Sequence, residues 1–243
     1  MSQEDASAAA RHANGARVLV IDDEPEIGRA VRTGLQGADF SVEWVATAVE
    51  GLERVAQWRP DVILLDLSLP DMDGVEVCRQ LRAWTQTPII VLSVRSREAD
   101  KIAALEQGAD DYLTKPFGMG ELIARIRVAL RHVARSASGT GDALMRVGGL
   151  EMDLERRLVM VDGREAHLTP TEYEVLKYLM TNAGKVVTHR VLLHAVWGPS
   201  YEAEAHYLRV FINQLRRKIE PEPSRPRYLI TEAGVGYRIR SPE

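Results

Sequence analysis

The first half of the chain alternates short apolar runs with segments whose apolar residues recur at helical spacing. The apolar runs are RVLVI (17–21), FSVEWV (40–45), DVILLD (61–66), PIIVLS (88–93) and DYLT (111–114). Such runs predict strands, and their alternation with helices is typical of a doubly wound α/β domain. Val62–Leu65 is apolar without interruption, as expected of a parallel sheet that helices cover on both faces. The pattern therefore predicts a five-stranded parallel sheet.

The second half follows a different pattern. Short strand-like pieces come first, with turn residues at Gly148–Gly149 and Asp162–Gly163. Three helical segments and two β-rich arms around a glycine turn follow, in the order TPTEYEVLKYLMTNAGK, THRVLLHAVWG, AEAHYLRVFINQLRRKIE and RYLITEAGVGYRIR. Three helices and a terminal hairpin predict a winged helix.

The first of these helices has recognisable ends. Thr169 is a capping residue, Pro170 suits the first helical position, and Glu172 lies three residues after the cap. Together they predict a helix N-terminus. We expect Gly184 to end the helix.

Composition divides the chain into segments and domains. Residues 1–16 are small and polar without an apolar stretch, so we expect a disordered leader and not a secretion signal. The stretch RSASGTGDA, after a predicted helix over 118–134, is a linker by its Ser, Gly and Ala content. The predicted domains are 17–134 and 146–241, joined by a linker over 135–145.

The overall composition is that of a soluble globular protein, with 45% hydrophobic and 27% charged residues. No apolar stretch is long enough to cross a bilayer, so no membrane partner is expected. The single cysteine, Cys78, cannot form an internal disulfide and is better explained as a small core residue than as a reactive thiol. We expect a cytoplasmic protein.

The two halves differ in charge. Residues 17–134 hold 14 Lys and Arg against 19 Asp and Glu, a net charge of −5, whereas residues 146–243 hold 15 against 13, a net charge of +2. An acidic domain suits cations such as Mg²⁺, and a mildly basic one is compatible with nucleic acid.

Polar residues follow the predicted strands of the first domain where each strand ends. Asp22 and Asp23 follow the first strand, Asp66 ends the third, Ser93 ends the fourth, and Lys115 follows the fifth. Ligands of open α/β sheets bind at the carboxyl ends of the strands. With the strand order 2-1-3-4-5, the first and third strands are neighbours, and the three aspartates converge.

Three close carboxylates repel one another unless a cation lies between them, and an oxygen-lined site suits Mg²⁺. A carboxylate there can attack phosphorus while the metal and a lysine neutralise the phosphoryl oxygens. Singly, each residue has an ordinary explanation, such as an acid at a helix N-terminus or a turn-capping aspartate. The combination favours a site.

The stretches VLVIDDEP, DVILLDLSLPDMDG, PIIVLSVRS and GADDYLTKPF resemble a receiver domain with a flavodoxin-like sheet, and the second half resembles the winged-helix output domain of the OmpR/PhoB family of two-component response regulators. The resemblance covers nearly everything after the leader. ADKIAALEQGADDYLTKPFGMGELIARIRVALR, NAGKVVTHRVLLHAVWGP and RPRYLITEAGVGYRIR are most similar to family members that regulate a potassium-transport operon.

The resemblance implies roles for the residues at the strand ends. It makes Asp66 the phosphoacceptor, with Asp22, Asp23 and Asp66 holding Mg²⁺ and Lys115 contacting the phosphoryl group. It makes Ser93 a hydrogen-bond donor to a phosphoryl oxygen.

Two further features of the receiver follow from the resemblance. Tyr112 is expected to turn inward as Ser93 moves, although an edge residue with its hydroxyl in water is the simpler explanation. The Lys115–Pro116 peptide bond is expected to be cis.

The resemblance also implies a dimer of receivers, with Lys101 paired to Glu121 and Asp111 paired to Arg125 across a two-fold axis. Glu121 and Arg125 are four residues apart on one predicted helix, so an exposed pair within that helix is the alternative.

In the third helix of the output domain, one face carries apolar residues and the other carries polar ones. Leu208, Ile212, Leu215 and Ile219 are predicted to be buried, and the opposite face carries Arg209, Asn213, Arg216 and Arg217. A solvated face is one explanation, but beside a winged-helix pattern this face is predicted to enter the major groove of DNA.

The predicted wing departs from the family. Many relatives have an arginine before the wing glycine, whereas this chain has Ala233 before Gly234. A minor-groove contact is therefore not expected, which leaves Arg238 or Arg240 to touch the DNA backbone.

The leading hypothesis is a response regulator that a sensor histidine kinase phosphorylates, that dimerises, and that acts on promoter DNA and RNA polymerase. One rival is a phosphohydrolase that passes through aspartyl phosphate. Many such enzymes have an acid two residues after the nucleophile, where this chain has Ser68, so an enzyme is not expected. Another rival is a DNA-binding protein that does not take phosphate, and the set of Asp66, Ser93 and Lys115 argues against it. A regulator of the same family that acts on a different operon is the remaining alternative.

Overall fold

The computed structural model describes residues 15–134, 144–201 and 204–240. Residues 1–14 of the predicted leader and 135–143 of the predicted linker lie outside this description. The chain divides into two compact units between Leu130 and Arg131. Within the described ranges, none of the helices has the length and apolar content that a membrane span requires.

The first unit is a five-stranded parallel sheet with helices between its strands, and its strand order is β2-β1-β3-β4-β5. The strands are β1 (Arg17–Ile21), β2 (Ser41–Val45), β3 (Val62–Asp66), β4 (Ile89–Ser93) and β5 (Asp111–Thr114). The helices are α1 (Pro25–Gln36), α2 (Ala48–Trp58), α3 (Gly74–Arg82), α4 (Glu98–Glu106) and α5 (Met119–Ala134), whose last four residues lie beyond the division after Leu130. The predicted fold, strand order and strands are confirmed, with strand boundaries within one residue of the prediction.

The centre of this sheet is inaccessible to solvent. Every residue of β3 and β4 is buried, because helices cover both faces, as the uninterrupted apolar runs predict. In the register of β1 and β3, Ile21 lies beside Leu65. The next residues along each strand, Asp22 and Asp66, are therefore neighbours at the carboxyl end of the sheet.

An ion pair fixes the opposite end of the sheet. The Arg82 guanidinium pairs with Asp110 and donates to the carbonyl oxygens of Gly108, at 2.7 Å, and Thr87, at 2.6 Å. Asp110 also accepts the Ile89 N–H at 3.0 Å. These contacts join the amino ends of β4 and β5.

The second unit begins with a four-stranded antiparallel sheet and continues with three helices and a three-stranded sheet of order β10-β12-β11. Its strands are β6 (Leu144–Val147), β7 (Leu150–Asp153), β8 (Leu158–Val161), β9 (Arg164–Glu165), β10 (Val187–Thr188), β11 (Leu229–Glu232) and β12 (Gly236–Ile239). Its helices are α6 (Pro170–Thr181), α7 (His189–Val196) and α8 (Ala205–Ile219), with a short 3₁₀ turn at Pro199–Tyr201. The winged helix is confirmed. Strand β6 begins two residues inside the predicted linker.

Helix α6 begins as predicted but ends earlier. The Thr169 side chain accepts the Glu172 N–H, and the Glu172 side chain accepts the Thr169 N–H, which completes a capping box. The helix ends at Thr181, three residues before Gly184. The Gly184 N–H donates to the Ile239 carbonyl at 2.9 Å, so pairing with the terminal strand replaces a further helical turn.

Gly236 is required by a close approach of two backbones. A Cβ atom at this position would lie 1.9 Å from the Val187 carbonyl oxygen and 2.8 Å from Thr188 Cα. Only glycine lets β12 pair with β10 at this distance.

Candidate functional site

The three predicted aspartates converge at the carboxyl end of the first sheet. Asp22, Asp23 and Asp66, which we call the acidic pocket, offer oxygen atoms that all lie within 4.8 Å of one another. Asp22 and Asp66 are buried and Asp23 is exposed. Adjacent strands β1 and β3 produce this arrangement, because each carries its aspartate just where the strand ends.

Lys115 reaches into the acidic pocket from the end of β5. Its Nζ donates to Asp22 Oδ2 at 2.8 Å, to Asp66 Oδ2 at 2.7 Å and to Glu24 Oε1 at 2.9 Å. Although burial acts to lower it, the pKa of Lys115 is held above its usual range by its hydrogen bonds to these carboxylates. Burial raises the pKa of Asp22, while the Lys115 hydrogen bond opposes that rise.

Sequence reasoning missed Glu24 as a member of this set. Its only signal was its place directly after the two aspartates, where it was also explained by the positive end of helix α1. The structure shows that this carboxylate turns toward Lys115.

Backbone groups orient the two buried carboxylates. Asp22 Oδ1 accepts the Glu24 N–H at 2.9 Å, and Asp66 Oδ1 accepts the Ser68 N–H at 3.2 Å. Gly74 at the start of α3 lies against the same strand end, since a Cβ there would be 2.4 Å from the Asp66 carbonyl oxygen. Sequence reasoning assigned no role to Gly74.

Ser93 and Tyr112 lie on the other side of the site. Ser93 is fully buried, and its hydroxyl accepts the Arg95 N–H at 3.2 Å. Tyr112 is turned inward with 2% exposure, and its hydroxyl donates to the Arg95 carbonyl oxygen at 2.5 Å. Burial raises the pKa of Tyr112. The Lys115–Pro116 peptide bond is cis, as predicted.

The donor set of the acidic pocket fits a hard divalent cation. It consists of carboxylate oxygens alone, with two buried members fixed by backbone N–H groups and one exposed member on the solvent side. Oxygen donors that leave room for water suit Mg²⁺ better than a softer transition metal.

Asp71 joins the loop after the acidic pocket to a neighbouring helix, which the sequence did not reveal. Its two carboxylate oxygens accept the N–H groups of Ala48, at 2.9 Å, and Val49, at 3.0 Å, at the start of α2. These hydrogen bonds hold the pKa of Asp71 below its usual value. The loop that follows Asp66 is thereby tied to α2.

Three of the four candidate dimer residues contact one another within one chain. Arg125 pairs with Asp111 at 3.0 Å and with Glu121 at 2.6 Å, so the pair within one helix that the sequence left open is present. Burial raises the pKa of Asp111 to about 7, and the Arg125 charge opposes that rise. Lys101 is half-buried on α4.

Helix α8 separates its two faces as predicted. Leu208, Ile212, Leu215 and Ile219 are fully buried. On the opposite face, Arg209, Asn213 and Arg217 are exposed. Arg216 is only half-exposed, and its guanidinium donates to the Leu229 carbonyl and the Thr231 hydroxyl of β11.

The turn between β11 and β12 carries Ala233 and Gly234, both exposed. Arg238 on β12 pairs with Glu232 at 2.6 Å, whereas Arg240 is exposed. The pairing within the hairpin leaves Arg240 as the more accessible of the two wing arginines.

An acidic pocket with a lysine at the carboxyl end of a doubly wound sheet, followed by a winged helix, defines a receiver coupled to a DNA-binding domain. Family models agree with both parts: the response regulator receiver domain matches residues 18–127, and the C-terminal domain of transcriptional regulatory proteins matches residues 163–239.

Individual relatives match nearly the whole chain. It is 51% identical to the KDP operon transcriptional regulatory protein KdpE of Escherichia coli (strain K12), over 91% of this chain and 98% of that protein. It is 48% identical to the transcriptional regulatory protein KdpE of Mycobacterium tuberculosis (strain ATCC 25618 / H37Rv), over 92% of this chain and 99% of that protein. A solved structure of a RitR mutant, 26% identical, matches 93% of this chain and 99% of its own with a TM-score of 0.76.

The chain belongs to the OmpR/PhoB family of two-component response regulators, and it is close to KdpE. It is a transcription regulator with a receiver domain and a DNA-binding domain.

Proposed function

We propose that Asp66 takes a phosphoryl group from a KdpD-like sensor histidine kinase and that the phosphorylated protein regulates a potassium-transport operon in the cytoplasm. The observation that carries the proposal is the position of Lys115 Nζ between Asp22 and Asp66, at 2.8 and 2.7 Å. This places a carboxylate nucleophile beside a fixed positive charge at the strand ends. The names of the KdpE relatives support the operon.

The reaction is a transfer from nitrogen to oxygen. A carboxylate oxygen of Asp66 attacks the phosphorus of a phosphohistidine, the P–N bond breaks with its electron pair left on the imidazole, and an acyl phosphate forms. Mg²⁺ held by Asp22, Asp23 and Asp66 supplies positive charge to the phosphoryl oxygens when bound. Lys115 donates to the same group.

The hydroxyl of Ser93 then hydrogen-bonds a phosphoryl oxygen. Tyr112, which was expected to turn inward as Ser93 moves, already lies inward in this structure. Ser68 stands where many phosphohydrolases carry a leaving-group acid. This supports a protein that holds its phosphoryl group as a signal and is not an enzyme with turnover.

Phosphorylation promotes a homodimer through Lys101, Asp111, Glu121 and Arg125. Because Arg125 holds Asp111 and Glu121 within one chain, dimerisation requires these pairs to be shared with, or exchanged for, pairs across the interface. Sedimentation of the phosphorylated protein tests this: Arg125→Glu should associate more weakly than the parent, and an unchanged dimer constant would refute the role.

The output domain presents α8 to the major groove, with Asn213 contacting base edges and Arg209 and Arg217 as the further candidates for bases or phosphates. Arg216, the fourth predicted DNA residue, donates to β11 instead. One subunit of the dimer binds each of two half-sites about one helical turn, roughly 10–11 bp, apart. Promoter-bound dimers then act on RNA polymerase.

Intact-mass measurement tests the phosphoacceptor. The full chain is incubated with Mg²⁺ and a phosphorylated kinase, and the parent should gain one labile phosphoryl group. Asp66→Ala should not gain it, whereas Glu53→Ala, which removes an exposed carboxylate of α2, should behave like the parent. Labelling of Asp66→Ala at the parent's rate would show the assignment to be wrong.

A further inference from the structure

We propose that Arg216 is a positioning residue that fixes the wing to helix α8, and that it does not read bases. The wing is the hairpin of β11, β12 and the turn between them. The proposal rests on the proposed function, because it takes α8 as the helix that enters the major groove.

The backbone of β11 shows why a partner is needed. Among the strands that the structure describes, β11 pairs with β12 alone and is therefore an edge strand. The Tyr228 carbonyl accepts the Arg240 N–H at 3.0 Å, so the backbone groups of the next residue, Leu229, point away from β12. Leu229 is fully buried, and its backbone groups need partners from outside the sheet.

Helix α8 supplies the hydrogen-bond donor for the Leu229 carbonyl oxygen. Arg216 Nε and Nη2 donate to the Leu229 carbonyl oxygen at 3.1 and 2.8 Å, and Nη2 also donates to Thr231 Oγ1 at 2.7 Å. The planar guanidinium thus binds two residues of β11 at the same time, Leu229 and Thr231. The single ammonium group of a lysine does this less well.

Glu220, the residue after α8, supplies the hydrogen-bond acceptor for the backbone N–H groups at the start of β11. Glu220, which is 7% exposed, accepts the N–H groups of Arg227 at 2.6 Å, Tyr228 at 2.9 Å and Leu229 at 2.7 Å. Glu220 and Arg216 therefore satisfy the N–H and the C=O of Leu229, respectively, along the edge of β11 that faces away from β12.

Arg216 is less exposed than the other predicted DNA-contact residues of α8. Arg209, Asn213 and Arg217 are exposed, and the proposal assigns DNA contact to them. The consequence is that the wing and α8 approach DNA as one body, with the wing placed before DNA is bound.

Hydrogen exchange of the full chain without DNA tests whether Arg216 fixes the wing to α8. In Arg216→Lys, the backbone amides of residues 228–232 should exchange about tenfold faster than in the parent, and in Thr231→Val by a smaller factor because one acceptor is lost. The matched control, Arg217→Lys on the same helix, should leave these amides unchanged. Amides of Val175–Met180 in α6 should not change in any variant, which distinguishes local positioning from a general loss of stability. Unchanged exchange of residues 228–232 in Arg216→Lys would overturn the proposal.

DNA titration across a salt series gives the second readout. Arg216→Lys keeps the charge, so specific affinity should fall about tenfold with the log–log salt slope unchanged. If Arg216→Gln instead lowered the slope by about one unit while exchange stayed at the parent's rate, Arg216 would be a phosphate ligand and the proposal would be wrong. If the parent bound no promoter DNA but exchange still responded to Arg216→Lys, the proposed function would fail while the positioning role of Arg216 was supported.

Discussion

Lys115 and Asp66 are separated by 49 positions in the chain, yet Lys115 Nζ donates to Asp66 Oδ2 at 2.7 Å. The same ammonium contacts Asp22 and Glu24. One positive charge therefore serves three carboxylates, and the site is short of positive charge until a further cation binds. We therefore expect the stability of the receiver to respond to divalent cations.

Lys115→Met should lower the free energy of unfolding of the receiver by about 3 kcal/mol in the absence of Mg²⁺, because buried carboxylates lose their counter-charge. Added Mg²⁺ should restore more stability to this variant than it adds to the parent. Urea unfolding with and without Mg²⁺ measures both effects, with Arg29→Met, at an exposed position of α1, as the control. Equal responses to Mg²⁺ in parent and variant would contradict the prediction.

Gly74→Ala should slow phosphorylation of Asp66 by about tenfold, since a misplacement of the nucleophile is costly in rate. The added Cβ would lie 2.4 Å from the Asp66 carbonyl oxygen, so the end of β3 has to shift. The rate is followed by intact mass after mixing with phosphorylated kinase. Gly120→Ala, where a Cβ meets nothing within 4 Å, is the control; a parent-like rate in Gly74→Ala would show that β3 tolerates the methyl group.

Asp111 should make stability depend on pH. Burial raises its pKa to about 7, with Arg125 opposing the rise and Asp110 and Glu121 adding to it, whereas the unfolded value is about 3.9. The folded state then binds the extra proton, so this group's contribution to the free energy of unfolding is greatest below about pH 4. It declines as pH rises and is constant above about pH 7.

Asp111→Asn should lack this decline. The difference in unfolding free energy between variant and parent should grow from pH 4 to pH 7 by at most about 4 kcal/mol, taking about 1.4 kcal/mol for each unit of pKa. Urea titrations at a series of pH values measure it. A difference that does not vary with pH would mean that Asp111 is ionised throughout, held by Arg125.

Asn213→Ala should cost on the order of 1–3 kcal/mol of DNA affinity at one base position and relax the preference there, if Asn213 contacts a base edge. Its salt slope should match the parent's. Arg209→Ala and Arg217→Ala, by contrast, should lower the slope by about one unit for each phosphate contact that is lost. Binding titrations over a salt series and a set of single-base variants separate these outcomes, and unchanged affinity and slope in all three would move the DNA surface away from α8.

The fold of this chain was predictable because its signals are local and agree with one another. The uninterrupted run at Val62–Leu65 indicates a strand that is buried on both faces, and the spacing of Leu208 and Ile212 indicates one buried face of a helix. The Thr169 and Glu172 pair marks a helix start within four residues. Each pattern depends on neighbouring positions, and the structure confirms each one.

What the sequence did not reveal depends on contacts between distant segments. Helix α6 ends before Gly184, and the N–H of that residue pairs with a strand 55 positions further along the chain, at Ile239. Asp71 contacts α2 and Arg216 contacts β11 through side-chain hydrogen bonds. Such contacts do not produce a periodic pattern in the sequence. The sequence identified the aspartates of the site because strand ends are predictable, but it could not show that Glu24 turns toward Lys115.

The Arg82–Asp110 ion pair has a mechanical consequence. It joins the amino ends of β4 and β5 through Asp110, Gly108 and Thr87, whereas the acidic pocket lies at the carboxyl ends. These contacts therefore hold β4 and β5 together at their amino ends, and the acidic pocket lies at the opposite, carboxyl end of the sheet. We therefore expect a rearrangement that begins at Asp66 to be taken up by loops and helix ends and not by sliding of β4 against β5.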